Sequence, residues 1–215
     1  MSKKREIPAP DVGLLEEVLK EAGIEVYRNR VERLAVHAAE MLRWNRSIRL
    51  TAIVDPVEVA VKHIADSLAL LKFAPFPGRL LDFGSGAGYP GIPLALYLPG
   101  TQVVLLESSE KKCAFLSRVR GMLHIENLVV VNAKARAGET LDIGKFDDIV
   151  TRATASPAAV ASLMSPYLAE GGRMLFMEGS GEAGRKREIP GTVVRRERFS
   201  LPRGMGEREI VEAVP

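Results

Sequence analysis

Residues 79–91, with the sequence RLLDFGSGAGYPG, constrain the fold of this 215-residue chain more than any other stretch. An apolar run reaches Asp82, three alternating glycines follow, and Pro90 opens an apolar helical stretch. This order predicts a strand, a tight turn and a helix start, which together bring backbone N–H groups close to a ligand. Glycine suits such a turn because a Cβ would block close approach and penalise positive φ. The sequence therefore predicts a ligand-binding loop.

The glycine spacing fits two classes of ligand. Residues 86–91 match the dinucleotide pattern G-x-G-x-x-G, whereas residues 84–88 read G-x-G-x-G directly after the strand that contains Asp82. A carboxylate disfavours a neighbouring pyrophosphate but suits the ammonium group of S-adenosylmethionine, whose own carboxylate can lie at the helix N-terminus. We therefore favour S-adenosylmethionine as the cofactor. A dinucleotide, or a glycine-rich turn without a ligand, is the alternative.

Composition indicates a globular protein, because 47% of the residues are hydrophobic and can form a core. No apolar run approaches membrane-spanning length, and residues 1–8 lack the apolar segment of a signal peptide, so we expect a cytoplasmic protein without a membrane partner. The single cysteine, Cys113, excludes an internal disulfide and a Cys-rich zinc site. We expect a monomer without a metal ion. The net charge of +3 permits an anionic partner.

The periodicity predicts helices first and alternating strands and helices later. Apolar spacing predicts helices from residue 14, from about residue 29 and over residues 57–72, with Asp55 as an N-cap. If the second helix continues far enough, Arg43, Arg46 and Arg49 form a basic edge that either contacts phosphate or is only solvated. Strands are predicted at residues 79–83, 102–107, 128–132, 146–151, 173–177, 192–199 and 209–214.

This alternation predicts a doubly wound, mostly parallel sheet covered by helices on both faces, with an antiparallel hairpin at its C-terminal end. A helix over residues 157–168 is expected to stop at Gly171 and Gly172, and a loop, with a helix possible, is expected from residue 179 to 191. We expect a tail and helices packing on the core over residues 1–74, and a Rossmann-like domain over residues 75–215.

The carboxyl ends of the predicted parallel strands meet in one crevice, where ligands of such sheets bind. Glu107 ends the second strand, about twenty residues past the glycine turn, where a carboxylate can accept both ribose hydroxyls of an adenosine. Arg152, after the fourth strand, can hold an anion or stack on a base. A salt bridge from Arg152 to Asp82 or to another carboxylate is the alternative. His63 and Asp66 lie one helical turn apart and form either a structural polar pair or part of the site.

With these residues assembled, the chain resembles the bacterial 16S rRNA guanine-N7 methyltransferase family, also called glucose-inhibited division protein B, from about residue 45 to 211. The residues that carry the resemblance are Asn45, LTAI at residues 50–53, HIADSL at 63–68, DFGSGAGYPGIPL at 82–94, KKCAFL at 111–116 and TRATAS at 151–156. The resemblance implies the class I S-adenosylmethionine-dependent methyltransferase fold with seven strands and an N-terminal helical extension. It also implies 16S rRNA, or the small ribosomal subunit, as the partner.

The resemblance adds site residues to those read from the sequence pattern. The expected cofactor-binding set is Asp82, Gly84, Gly86, Tyr89, Glu107, Ala135, Arg136 and Arg152, with Arg152 also expected to be catalytic. The expected rRNA-contacting set is His63, Asp66, Ser67 and Arg46.

This chain departs from the family pattern at two positions. Arg136 stands where the family usually has an acid, and Glu178 stands where a lysine usually precedes a glycine. Three alternatives therefore stay open at this point. They are a class I methyltransferase with another substrate, a nicotinamide-dependent oxidoreductase, and an RNA-binding relic with a decayed donor site.

Overall fold

The computed structural model of the protein describes residues 8–152, 156–179, 189 and 191–214. The described residues form a seven-stranded sheet in the order β3-β2-β1-β4-β5-β7-β6. The strands are β1 Arg79–Phe83, β2 Gln102–Glu107, β3 Leu128–Asn132, β4 Phe146–Arg152, β5 Leu168–Gly179, β6 Thr192–Ser200 and β7 Glu207–Val214. Strands β1 to β5 pair in parallel, and β7 pairs antiparallel with both β5 and β6. The predicted fold class is confirmed, including its C-terminal hairpin.

The helices cover both faces of this sheet. They are α1 Val12–Glu21, α2 Arg28–Trp44, α3 Pro56–Val59, α4 Asp66–Leu68, α5 Gly91–Tyr97, α6 Glu110–Met122 and α7 Pro157–Met164. The segment Ala60–Ala65 between α3 and α4 is a π-helical turn, and Ala69–Phe73 continues as a 3-10 helix. The predicted N-cap is present, because the Asp55 carboxylate accepts hydrogen bonds from the backbone N–H groups of Val57 and Glu58.

Side chains of the central strands alternate between two apolar clusters. Leu80 of β1 packs into the larger cluster, together with residues of α1, α2, the π-helical turn, α5 and α6. Leu81 packs into the smaller cluster, which lies against α7. The N-terminal helices thus share one core with one face of the sheet. The division of the chain between residues 74 and 75 stays a prediction.

Helix α2 ends at Trp44, so the condition for a basic helix edge, a helix that continues as far as Arg49, is not met. The Asn45 side chain accepts hydrogen bonds from the backbone N–H groups of Leu50 and Thr51, and the chain between Asn45 and Leu50 forms a loop. Arg46 and Arg49 therefore lie on a loop and not on a helical face.

Helix α7 ends at Met164 and not at the glycine pair, and β5 already begins at Leu168. Pro166 explains the early end, because proline removes a helix hydrogen bond and its ring clashes with the preceding turn. The loop expected after residue 179 lies largely outside the described residues.

Close packing around residue 91 requires a glycine there. A Cβ at Gly91 would lie 2.2 Å from Leu105 Cδ2 and 2.7 Å from Asp82 Oδ2. We expect Gly91→Ala to lower the free energy of unfolding by about 1–3 kcal/mol through overpacking, as measured by urea denaturation. Gly121, inside α6, has no atom within 4 Å of such a Cβ. Gly121→Ala is therefore the control and should be neutral or stabilising by about 0.5–1 kcal/mol. Equal losses in the two variants would contradict this account.

Candidate functional site

The glycine loop between β1 and α5 is held by two buried carboxylates. Glu107 accepts the Gly86 N–H on Oε2 at 3.0 Å and the Ser109 N–H on Oε1 at 2.8 Å. Asp82 accepts the Gly91 N–H on Oδ2 at 2.9 Å. Gly86 has a φ of +56°, and the nearest atom to a Cβ there would be 3.8 Å away, so the space above the loop is open. The two carboxylates therefore hold the loop on one side, and the opposite side of the loop at Gly86 is accessible to a ligand.

Of the two carboxylates, Glu107 is the better placed to receive a ribose. Its Oε2 accepts the Gly86 N–H and has a second lone pair for another donor, whereas its Oε1 accepts from the Ser109 N–H and from the Ser108 hydroxyl. Asp82 faces the start of α5, and burial raises its pKa to about 7. The expected contact of Asp82 with the cofactor ammonium stays a prediction, whereas its contact with the α5 backbone is present in the fold.

Tyr89 stacks between two histidines from the N-terminal helices. Its ring centroid lies 4.5 Å from that of His37 in α2 and 4.8 Å from that of His63 in the π-helical turn. The His37 Nε2 lies 2.8 Å from the Ala87 carbonyl oxygen, which can only accept, so Nε2 carries the hydrogen. Burial lowers the pKa of His37 to about 4 and that of His63 to about 3, and both rings are neutral near pH 7.

Arg152 extends from the end of β4 to the same helical segment. Its Nη1 donates to the Lys62 carbonyl oxygen at 3.1 Å and lies 3.4 Å from Asp66 Oδ2, and its guanidinium carbon lies 5.7 Å from the centroid of the Tyr89 ring. The salt bridge considered as an alternative is therefore formed, with Asp66 as the partner. Burial raises the pKa of Asp66, against the opposing influence of Arg152 and Arg208.

Arg152, Asp66 and His63 line a cavity of about 260 Å³, and the His63 ring also stacks on Tyr89. The cavity is lined by Ile53, Lys62, His63, Asp66, Arg152, Met177, Glu178, Gly179 and Arg208. The structure thus brings together three of the predicted site residues, namely His63, Asp66 and Arg152. Ser67 is buried, and its hydroxyl donates to the His63 carbonyl oxygen. Arg46 is exposed on the loop after α2.

The remaining predicted donor-site residues follow β3. Ala135 is half-buried, and Arg136 is exposed with its guanidinium 3.1 Å from Glu139. The departure at Glu178 lies in the wall of the cavity, on a residue that is 6% exposed.

Sequence reasoning missed His37 and Arg208. His37 lies on the apolar stripe of α2, where a histidine at core spacing is the only signal. Arg208 reaches the cavity because β7 inserts beside β5, in a register that pairs it with Gly179.

The strand order and the position of the glycine loop define the class I methyltransferase fold. Solved structures agree at the level of the fold alone. A SAM-dependent methyltransferase from Aquifex aeolicus matches with a TM-score of 0.54 at 14% identity, covering 74% of this chain and 94% of that one. A precorrin-6y C5,15-methyltransferase from Geobacter metallireducens matches with a TM-score of 0.52 at 16% identity, covering 78% of this chain and 91% of that one.

The sequence comparisons are more specific. The profile of the GidB family, described as rRNA small subunit methyltransferase G, matches residues 30–190. A ribosomal RNA small subunit methyltransferase G from Chromohalobacter salexigens is 36% identical over 195 residues, which is 90% of this chain and 92% of the relative. The protein of that name from Geobacter sulfurreducens is 34% identical over 206 residues, 93% of this chain and 95% of the relative. The chain belongs to the GidB family, and its cofactor is S-adenosylmethionine.

The buried neutral His37 makes a testable contribution to stability. Its pKa is about 4 in the folded protein and about 6.5 when unfolded, so the unfolded state binds more protons between these values. This contribution is complete above pH 6.5 and is lost as the pH falls towards 4. We expect His37→Gln, which retains an N–H donor for Ala87, to remove up to about 1.4 kcal/mol per pH unit from the slope of the unfolding free energy.

Urea denaturation at several pH values between 4 and 7 measures this slope. His124→Gln, at an exposed histidine, is the control and should keep the wild-type slope. A wild-type slope in His37→Gln would show that His37 does not carry the effect.

Proposed function

We propose that this protein transfers a methyl group from S-adenosylmethionine to N7 of a guanine in 16S rRNA of the small ribosomal subunit. Family membership supports the activity, because the curated relatives carry the name ribosomal RNA small subunit methyltransferase G. The observation that carries the proposal is the adjacency of two features at the carboxyl edge of the sheet. The open glycine loop, held by Glu107, ends in Tyr89, whose ring stacks on His63 in the wall of the cavity that Arg152 also lines.

The residues present fit S-adenosylmethionine. The open space above Gly86 and the second lone pair of Glu107 Oε2 suit the methionine and ribose parts of the cofactor. We propose that Gly84, Gly86, Asp82, Tyr89, Glu107, Ala135, Arg136 and Arg152 hold it. The bound cofactor supplies an electrophilic methyl group on sulfonium.

The chemistry proposed for the acceptor needs no general base. Guanine N7 carries a lone pair and no proton, so the residues of this site have to align the reacting atoms and exclude water. The site agrees with that requirement, because His63 is neutral and both of its ring nitrogens already have partners. A base must leave its stack to enter such a cavity, and we propose that Arg152, His63, Asp66 and Ser67 form or support its surroundings.

Exposed arginines are the proposed contacts with the RNA backbone. Arg46 and Arg49 lie on the loop after α2, and Arg195, Arg196 and Arg198 project from β6. Binding through such groups weakens steeply with salt. No helix within the described ranges is long and apolar enough to cross a membrane. We further propose that the protein acts as a cytoplasmic monomer without a metal ion.

Arg152 provides the most direct test of the site. We expect Arg152→Ala to lower kcat/KM for methyl transfer to rRNA by about 100-fold, because a positioned cation is lost from the crevice. The far-UV circular dichroism spectrum should not change. Arg203→Ala is the control, because Arg203 pairs with Glu17 and Glu21 away from the cavity. Wild-type turnover in Arg152→Ala would show that Arg152 does not contribute to methyl transfer.

Calorimetry and a transfer assay separate the alternatives. We expect S-adenosylmethionine to bind and NADH not to bind, and labelled methyl to appear in 16S rRNA or in the small subunit. Binding of NADH without binding of S-adenosylmethionine would overturn the proposal. Binding of RNA without methyl transfer would favour the RNA-binding relic.

A further inference from the structure

A compact loop connects the basic residues after α2 to the site. The Asn45 side chain closes this loop, since Oδ1 accepts the N–H groups of Leu50 and Thr51 at 2.8 and 3.0 Å. Its Nδ2 donates to the Thr51 carbonyl oxygen at 2.9 Å. Three hydrogen bonds with one side chain therefore fix the backbone at Leu50 and Thr51, and the Thr51 side chain contacts His63 of the π-helical turn.

Arg152 and the Thr51 hydroxyl together indicate which nitrogen of His63 carries the proton. The Arg152 Nη2 lies 3.4 Å from His63 Nδ1, and a guanidinium can only donate, so Nδ1 is the acceptor. The hydrogen is then on Nε2, which lies 2.9 Å from Thr51 Oγ1. The Ile53 N–H donates to the same hydroxyl oxygen at 3.0 Å and holds it in place. The opposite tautomer would direct an N–H at the guanidinium.

The orientation of His63 in turn affects two proposed donor-site residues. Its ring stacks on Tyr89 with an interplanar angle of 11°, and its Nδ1 accepts from Arg152. Loss of the hydroxyl leaves a buried N–H without an acceptor, which favours rotation of the ring or a change of tautomer. Either change would remove the acceptor for Arg152, and rotation of the ring would also alter its stack on Tyr89.

We propose that Thr51 is a positioning residue of the methyl-donor site. Its hydroxyl holds His63 in the Nε2–H tautomer, and His63 in this form holds Arg152 and Tyr89 in their places. The importance of Arg152 and Tyr89 for donor binding rests on the function proposed above. The tautomer of His63 and its dependence on Thr51 are independent of that function. Arg46 and Arg49 lie on the same loop as Thr51. A segment proposed to contact RNA therefore ends at the residue that we propose orients the donor site.

Two-bond ¹H–¹⁵N correlation spectra of the full chain test the proposal directly, since the sequence contains only three histidines. We expect the wild-type His63 to give the pattern of the Nε2–H tautomer at neutral pH. In Thr51→Val we expect this pattern to change and the Kd for S-adenosylmethionine, measured by calorimetry, to rise roughly tenfold, the effect of one lost hydrogen bond to a buried group. Thr51→Ser retains the hydroxyl and should restore both the pattern and the Kd to within about twofold of wild type.

Thr101→Val is the matched control. Thr101 is also buried, and its hydroxyl donates to the Phe76 carbonyl oxygen, which lies away from the cavity. This variant should lose stability but keep the His63 pattern and the Kd. An Nδ1–H tautomer in the wild type would overturn the proposal, even if Thr51→Val does not fold. An unchanged pattern in Thr51→Val, or an equal change in Thr101→Val, would also overturn it. Absence of methyl transfer by the wild type, with the expected spectra and Kd values, would instead count against the proposed function alone.

Discussion

The clamp that Asp82 and Glu107 place on the glycine loop is the constraint on which the rest of the site depends. Asp82 fixes the loop to the start of α5, and Glu107 fixes it to the start of α6. Backbone N–H groups donate hydrogen bonds to both buried carboxylates, which offsets part of the cost of taking them out of water. Because the two acids lie near the carboxyl ends of neighbouring parallel strands, the sheet register sets the geometry of the loop. The open space above Gly86 follows from this arrangement.

The N-terminal helices complete the site and do more than cover the sheet. Helix α2 brings His37 to the loop carbonyl of Ala87, and the π-helical turn brings His63 and Asp66 to Arg152. Tyr89 lies between the two histidines, so the loop is packed from the helical layer as well as held by the sheet. A π-helical turn at this position agrees with the frequent occurrence of such turns at functional sites.

The sequence predicted those parts of the site that follow from strand ends. Glu107 and Arg152 could be placed because parallel strands deliver their carboxyl ends to one edge of a sheet. His37 could not be placed, because a histidine on an apolar helical stripe does not differ in pattern from a residue of the core. Arg208 depends on the insertion of β7 between β5 and β6, a pairing that local sequence does not encode. The conditional basic helix edge does not form, because the Asn45 side chain competes with the helix for backbone N–H groups.

The central claim is that this site methylates guanine N7 in the RNA of the small ribosomal subunit. The most direct measurement is mass mapping of nuclease fragments from 16S rRNA after incubation with the protein and isotopically labelled S-adenosylmethionine. The account predicts label at a single guanine, as 7-methylguanine. Label on another base, on another atom of guanine, or on no fragment of the small-subunit RNA would contradict it.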